Sequence, residues 1–305
     1  MGIGIAKFEK QNALPHDYLN VAMTARGPEG AFQLLETGRI QLPEFYSQVG
    51  QIFAKGCWQF GQEMSDTKFN NSAYQQHCLR TSKFDNDSRI ISVAVPPLPV
   101  QAPVDGKELW RMMMGEASSF NTPIIQVIKR LKGDVWQVYC SVYKVAALTN
   151  NFNLAPGVKE DDAEALGIMP KEIKQLFDDF IESSQVGMRK PDPKFFQYAL
   201  NRLGAEPHRT VFLDDIGSVA CLSFMSLEGG DFGNMITELE STDRVYLHPS
   251  KSAHSMNLKA AQALGIKTIR VGIYDVDPAI RALQKYVPDV DLLSCCSDHA
   301  GVSKL

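Results

Sequence analysis

Three stretches decide how this chain folds: Lys144–Asn151 reads KVAALTNN, Glu182–Pro193 reads ESSQVGMRKPDP, and Thr210–Gly217 reads TVFLDDIG. The first and third are short apolar runs, the pattern of strands buried on both faces, and each gives way to polar residues at its carboxyl end. Phe180–Ser183 offers a further strand just before the second stretch. Asp192–Leu203 reads as a helix with Phe196, Ala199, Leu200 and Leu203 on one face and Gly204 as its stop. Lys267–Ile273 (KTIRVGI) is another strand candidate, followed by a helix from Pro278. Strands and helices alternating at this spacing predict an α/β fold with a doubly wound parallel sheet, and in such sheets ligands sit at the carboxyl ends of the strands.

The first third has a different rhythm. Gly30–Glu36 and Glu44–Lys55 show apolar residues at helical spacing, with Phe45, Val49, Ile52 and Phe53 on one face. Thr122-Pro123 opens another helix in cap-then-proline order, with Ile124, Ile125, Ile128 and Leu131 as its buried stripe. Between these, Ser65–Val104 is polar and then proline-rich (VPPLPVQAP), which reads as a long connection. The expected division is a helical region over 1–135 and an α/β core over 136–305.

Polar residues gather where the strands end. Thr149, Asn150 and Asn151 follow the first strand, Lys190 lies in the middle stretch, and Asp214 and Asp215 end the third. Taken singly, each has a plain structural explanation: a helix cap, a solvated loop lysine, acids at a helix start. As an ordered set they place a hydroxyl, a cation and paired carboxylates along one sheet edge. Phosphoryl transfer calls for this set, with the hydroxyl and amides holding phosphoryl oxygens and the ammonium offsetting developing charge. The acid pair offers hard oxygen ligands for Mg²⁺.

The stretches T-N-N, E-S-x-Q-V-G-M-x-K-P-x-P and V-F-L-D-D-I-G resemble motifs II, III and IV of the haloacid dehalogenase (HAD) superfamily. Within it, they are similar to the N-terminal phosphatase domain of soluble epoxide hydrolases and its single-domain relatives, and Arg26–Ala31 resembles that group's G-P-E-G-A stretch in the helical cap. The resemblance implies a Mg²⁺-dependent phosphomonoester hydrolase working through an aspartyl-phosphate. Carried over, Thr149, Asn150 and Asn151 would line the phosphate site, with Thr149 and Lys190 taking part in the chemistry. Asp215, helped by Asp214, would bind the metal.

Two departures follow from the same comparison. The family's first motif, a central strand ending in D-x-D that supplies the nucleophile, precedes the cap, whereas this sequence starts at the cap. Asp85-Asn86-Asp87 and Asp275-Val276-Asp277 read instead as loop or helix-start acids. The expectation is therefore an impaired hydrolase, or a non-catalytic module that binds phosphate and metal. Residues 219–256 read as an insertion, because DDIGS joins NLKAAQALGIKTIRV without a seam once they are removed. Asn257 would then cap the following helix, with Leu258, Ala261 and Leu264 on its apolar face. The extra segment is expected to form a loop beside the metal site. No G-x-S-x-G elbow is present, so epoxide opening is not expected.

Composition narrows the classes further. In 305 residues the net charge is −4 with 44% hydrophobic residues, which gives no basic footprint for nucleic acid. The six cysteines show no zinc spacing, and the N-terminal eleven residues are too short in apolar length for a membrane span. The sequence ends Ser303-Lys304-Leu305, the tripeptide read by the peroxisomal import receptor, so peroxisomal residence is expected.

Overall fold

The helical region begins with α1 (Gly2–Gln11) and α2 (Tyr18–Ala25), then α3 (Ala31–Glu36), α4 (Leu42–Tyr46), α5 (Phe60–Ser65), α6 (Thr67–Thr81) and α7 (Gly106–Gly115). The structure, a computed structural model, describes residues 2–46, 60–81, 95–115, 121–133, 143–153, 169–215, 224–227, 255–272 and 275–296. The rest of the expected 44–55 helix, the acids 85–87, and Ser303–Leu305 lie outside these. One apolar cluster binds the helices together: Tyr18, Leu19, Leu35, Phe45, Phe60, Met64, Leu109 and Trp110 are all buried in it. Phe45 stacks on Phe60 with centroids 4.5 Å apart, and Trp110 meets Phe45 edge-on at 5.0 Å.

The expected long connection from Ser65 contains a fifteen-residue helix, α6. Its sequence, TKFNNSAYQQHCLRT, carries no apolar stripe, which is why periodicity misses it. Tertiary contacts hold it instead. Asp66 Oδ1 accepts the Phe69 N–H at 3.1 Å as a start signal. The Asn70 amide donates to Glu63 O and Met64 O, and Tyr74 packs on Tyr18 at 5.5 Å.

Two buried glutamates cap helices from a distance. Glu9 of α1 accepts the Asp17 and Leu19 N–H groups at the start of α2, and Glu63 of α5 accepts the first N–H of α3 with both oxygens at 3.1 Å. Burial pushes each carboxyl up to about 7, against the pull of those amides. The raised folded value fixes the sign: their contribution is whole below the ordinary carboxylate range and is lost as pH rises through about 7. The loss should be of order 1–3 kcal/mol per group. Urea unfolding of Glu9→Gln and of the unaltered chain at pH 5 and 7.5 checks it: the unaltered chain should lose more stability across that interval. Equal pH dependence would contradict it.

The α/β region opens with α8 (Thr122–Lys132), followed by β1 (Tyr143–Thr149), α9 (Lys171–Lys174), β2 (Asp179–Glu182), α10 (Ser183–Val186) and α11 (Pro193–Leu203). Then come β3 (Thr210–Asp215), β4 (Phe224–Leu227), α12 (Ser255–Ala263), β5 (Lys267–Val271) and α13 (Asp277–Gln284). The cap of α8 is Asn121, whose side chain accepts the Ile124 N–H, so Thr122 falls one position inside. Asp192 caps α11, and Gly204 ends it in the left-handed region.

The sheet order is β2-β1-β4-β3-β5. β1 pairs parallel with β2, and β3 with β5. β4 lies between β1 and β3 and runs antiparallel to both. The expected all-parallel sheet thus has one reversed central strand, and it comes from the 219–256 segment expected to form only a loop. Its pairs reach Ala146 and Phe212, short of the carboxyl ends of β1 and β3. Alternate residues of β1 feed opposite faces. Val145 and Ala147 pack with α8 and α13 in one cluster, while Ala146 and Leu148 pack with Phe195, Phe196, Ala199 and Leu200 of α11 in the other. Helices on both faces explain why these strands read as continuous apolar runs. Among the described residues no helix is long and apolar enough to cross a membrane.

Candidate functional site

β1, β2 and β3 all deliver polar residues to the same edge. Thr149 is the last residue of β1, is buried, and stands in register with Glu182 at the end of β2. Asp214 and Asp215 end β3, opposite Arg270 and Val271 of β5. The sequence-predicted residues Thr149, Asn150, Asn151, Lys190 and Asp214 converge here. Asp215 takes its place through the backbone register of β3.

Lys190 is the centre of the arrangement. It is 1% exposed, and its Nζ lies 3.1 Å from Asp214 Oδ1, itself on a residue 2% exposed. The Asn257 amide donates to the other oxygen, Asp214 Oδ2, at 3.0 Å. Two charges withdrawn from water this completely persist only with close pairing and added hydrogen bonds, and Asn257 supplies one. The main chain of Lys190 is held as firmly: its N–H donates to Asn150 Oδ1 at 2.8 Å and its carbonyl accepts from Asn150 Nδ2 at 3.0 Å. Asn150 is thereby a clasp between the 149–153 loop and the 183–190 segment.

A second polar group forms around Glu182. Its carboxylate pairs with Lys174 Nζ at 2.7 Å and accepts from the side-chain amides of Asn151 and Gln185. Asn151 is tied further, its N–H donating to Ser183 Oγ at 2.9 Å. Two residues with these roles escaped the sequence reading. Glu182 opens the stretch 182–193, and nothing in its neighbours marks it as a hub. Asn257, expected as a helix cap, lies within α12, which starts at Ser255, and faces Asp214 instead. Only the fold brings positions 214 and 257 together. Asp275 and Asp277 behave as helix-start acids: Asp277 opens α13 and its N–H donates to Asp275 Oδ1. Among the described residues, no group of three or more His, Cys, Asp or Glu side chains could hold a metal.

The family model described as haloacid dehalogenase-like hydrolase matches residues 122–217, from α8 to just past β3, and so takes in every strand end just described except that of β5. The chain belongs to the HAD-like hydrolases. Among its relatives, the bifunctional epoxide hydrolase 2 of Mus musculus is 30% identical over 210 residues, 69% of this chain and 29% of that protein. The Sus scrofa bifunctional epoxide hydrolase 2 is 28% identical over 249 residues, 79% of this chain and 36% of that protein. The HAD-like chain thus spans little more than a third, at most, of these relatives. A HAD family enzyme of Bacteroides thetaiotaomicron, solved with magnesium and inorganic phosphate, aligns over 84% of this chain and 83% of its own at 15% identity, with a TM-score of 0.34.

Proposed function

We propose that this HAD-like chain handles a phosphomonoester at the strand ends, with Lys190 as the charge-compensating cation and Thr149 beside it. The observation that carries the reading is the buried Lys190–Asp214 pair at the carboxyl edge of the sheet, clasped by Asn150. A lysine so placed is held at one point by its carboxylate and presents a fixed positive centre, which suits a phosphoryl group whose charge it offsets. Thr149 and the main-chain groups of residues 150–151 would line the phosphate. The small-molecule partner is thus a phosphomonoester, and the charge pattern offers nothing for nucleic acid.

Mg²⁺ fits this edge in part. One oxygen of Asp214 receives Lys190 and the other Asn257, so Asp214 would orient Lys190 while helping Asp215 to hold the ion. Asp215, the next residue on β3, would be the principal carboxylate for the ion. When bound, Mg²⁺ would neutralise charge on a phosphate oxygen.

A second reading, a phosphate- and metal-binding module without turnover, is favoured by the engagement of Asp214, whose two oxygens receive Lys190 and Asn257. Assay of the full chain with a generic aryl phosphate and Mg²⁺ separates the two. Turnover that disappears in Asp215→Ala supports hydrolysis, while phosphate binding without turnover supports the module. In either case Thr149→Val should weaken inorganic phosphate about tenfold, the size of one lost hydrogen bond to a charged group; unchanged affinity would remove Thr149 from the site. The proposal includes peroxisomal import through Ser303-Lys304-Leu305, checked by loss of punctate signal when the tripeptide is deleted from a fluorescent fusion.

A further inference from the structure

Both loops assigned to phosphate meet the helical region at Glu36. Glu36 ends α3 and is 3% exposed. Its carboxylate Oε2 lies 2.5 Å from Nη2 of Arg189, the residue immediately before Lys190. Its main-chain oxygen lies 2.6 Å from Ser183 Oγ, and that hydroxyl also accepts the Asn151 N–H. One route from Glu36 thus runs through Arg189 to Lys190, and the other through Ser183 to the loop after Thr149.

The neighbourhood leaves this junction little freedom. Gly38 sits at φ +69 against the Ser184 carbonyl, where a Cβ would collide. The Ser184 hydroxyl is 3.1 Å from the side-chain oxygens of both Asn151 and Asn153. Phe152, in the same loop, leaves the sheet region altogether and packs edge-on against Trp110 of α7 at 5.0 Å. Burial pushes the Glu36 carboxyl up, opposed first by Arg189 and then by Lys190, so the carboxylate feels the site's own cation. A buried ion pair is a poor device for stability alone, since apolar residues of similar volume serve as well or better. The close approach of Glu36 and Arg189 is suited to fixing one relative placement.

We infer that Glu36 is a positioning residue: through Arg189 and Ser183 it sets where Lys190 and the 149–151 loop stand, so that the seating of the helical region governs phosphate affinity. The inference rests on the phosphate-site reading above. The test uses the full chain as Glu36→Gln, Arg189→Met and the double variant, with folding checked by circular dichroism. Arg189→Lys, at a side chain 26% exposed, carries the test if Glu36→Gln does not fold. Two quantities are read: amide hydrogen exchange without ligand, and affinity for inorganic phosphate with Mg²⁺.

The expected result is faster exchange in peptides carrying 149–153 and 183–190, about tenfold weaker phosphate binding, and a double variant no worse than either single one. Exchange that rises only in α3, or phosphate affinity equal to that of the unaltered chain, overturns the positioning role while leaving the phosphate site standing. If the unaltered chain binds no phosphate, the site reading fails and the positioning role falls with it. Arg189→Lys should lie between the unaltered chain and Arg189→Met, because it keeps the charge but not the planar shape of the guanidinium.

Discussion

Lys190→Met should lower the unfolding free energy by about 3–5 kcal/mol, because it leaves Asp214 as a buried carboxylate without its cation. Asp214 is 2% exposed, so water cannot take the place of the ammonium. The Asn257 amide remains, but a neutral donor compensates a full charge only in part. Asp214→Leu should cost a similar amount by stranding Lys190. Their combination, Lys190→Met with Asp214→Leu, should recover most of the loss, since both charges then disappear together. Urea midpoints of the four proteins measure this. Additive losses in the double variant would show that the two residues act separately, against the 3.1 Å pairing.

Gly38→Ala should cost about 2–4 kcal/mol, from an alanine forced into the left-handed region and from overlap with packed backbone. The neighbour struck is the Ser184 carbonyl, which cannot rotate away as a side chain could. Relief requires α3 and the 183–186 turn to separate, which also strains the Glu36–Arg189 pair. Gly187→Ala is the control. Gly187 has φ +74 but open space around its Cβ position, so only the conformational part, about 1–2 kcal/mol, should appear. Equal losses at the two glycines in thermal or urea unfolding would mean that the close approach at Gly38 contributes nothing.

Much of the α/β region was legible because its signals are local. A strand buried on both faces writes itself as an apolar run, as at Val145–Leu148 and Val211–Leu213, and α11 carries its cap, stripe and terminal glycine in order. The strand-end cluster was readable from order and spacing alone, since a parallel sheet gathers its carboxyl ends without further instruction. What escaped depends on contacts between distant positions. Helix α6 has no stripe, and is held by Asn70 and Tyr74 reaching other helices. Asn257 looked like a cap from its neighbours, and only the packing of α12 against β3 shows it to be a partner of Asp214. The reversed strand β4 was hidden for a similar reason: a four-residue run, FMSL, becomes a strand by finding two edges to pair with. Glu36 and Arg189 carry no local signal of a joint role, and only the fold sets them against each other.

Everything proposed for the strand-end cluster depends on its binding phosphate through Lys190. Calorimetric titration of the full chain with inorganic phosphate in the presence of Mg²⁺ measures this, with the charge-free Lys190→Met/Asp214→Leu protein as the folded comparison. Saturable one-site binding is expected, weakening as salt is raised and lost in the double variant. No binding to the unaltered chain, or equal binding to the double variant, would contradict it.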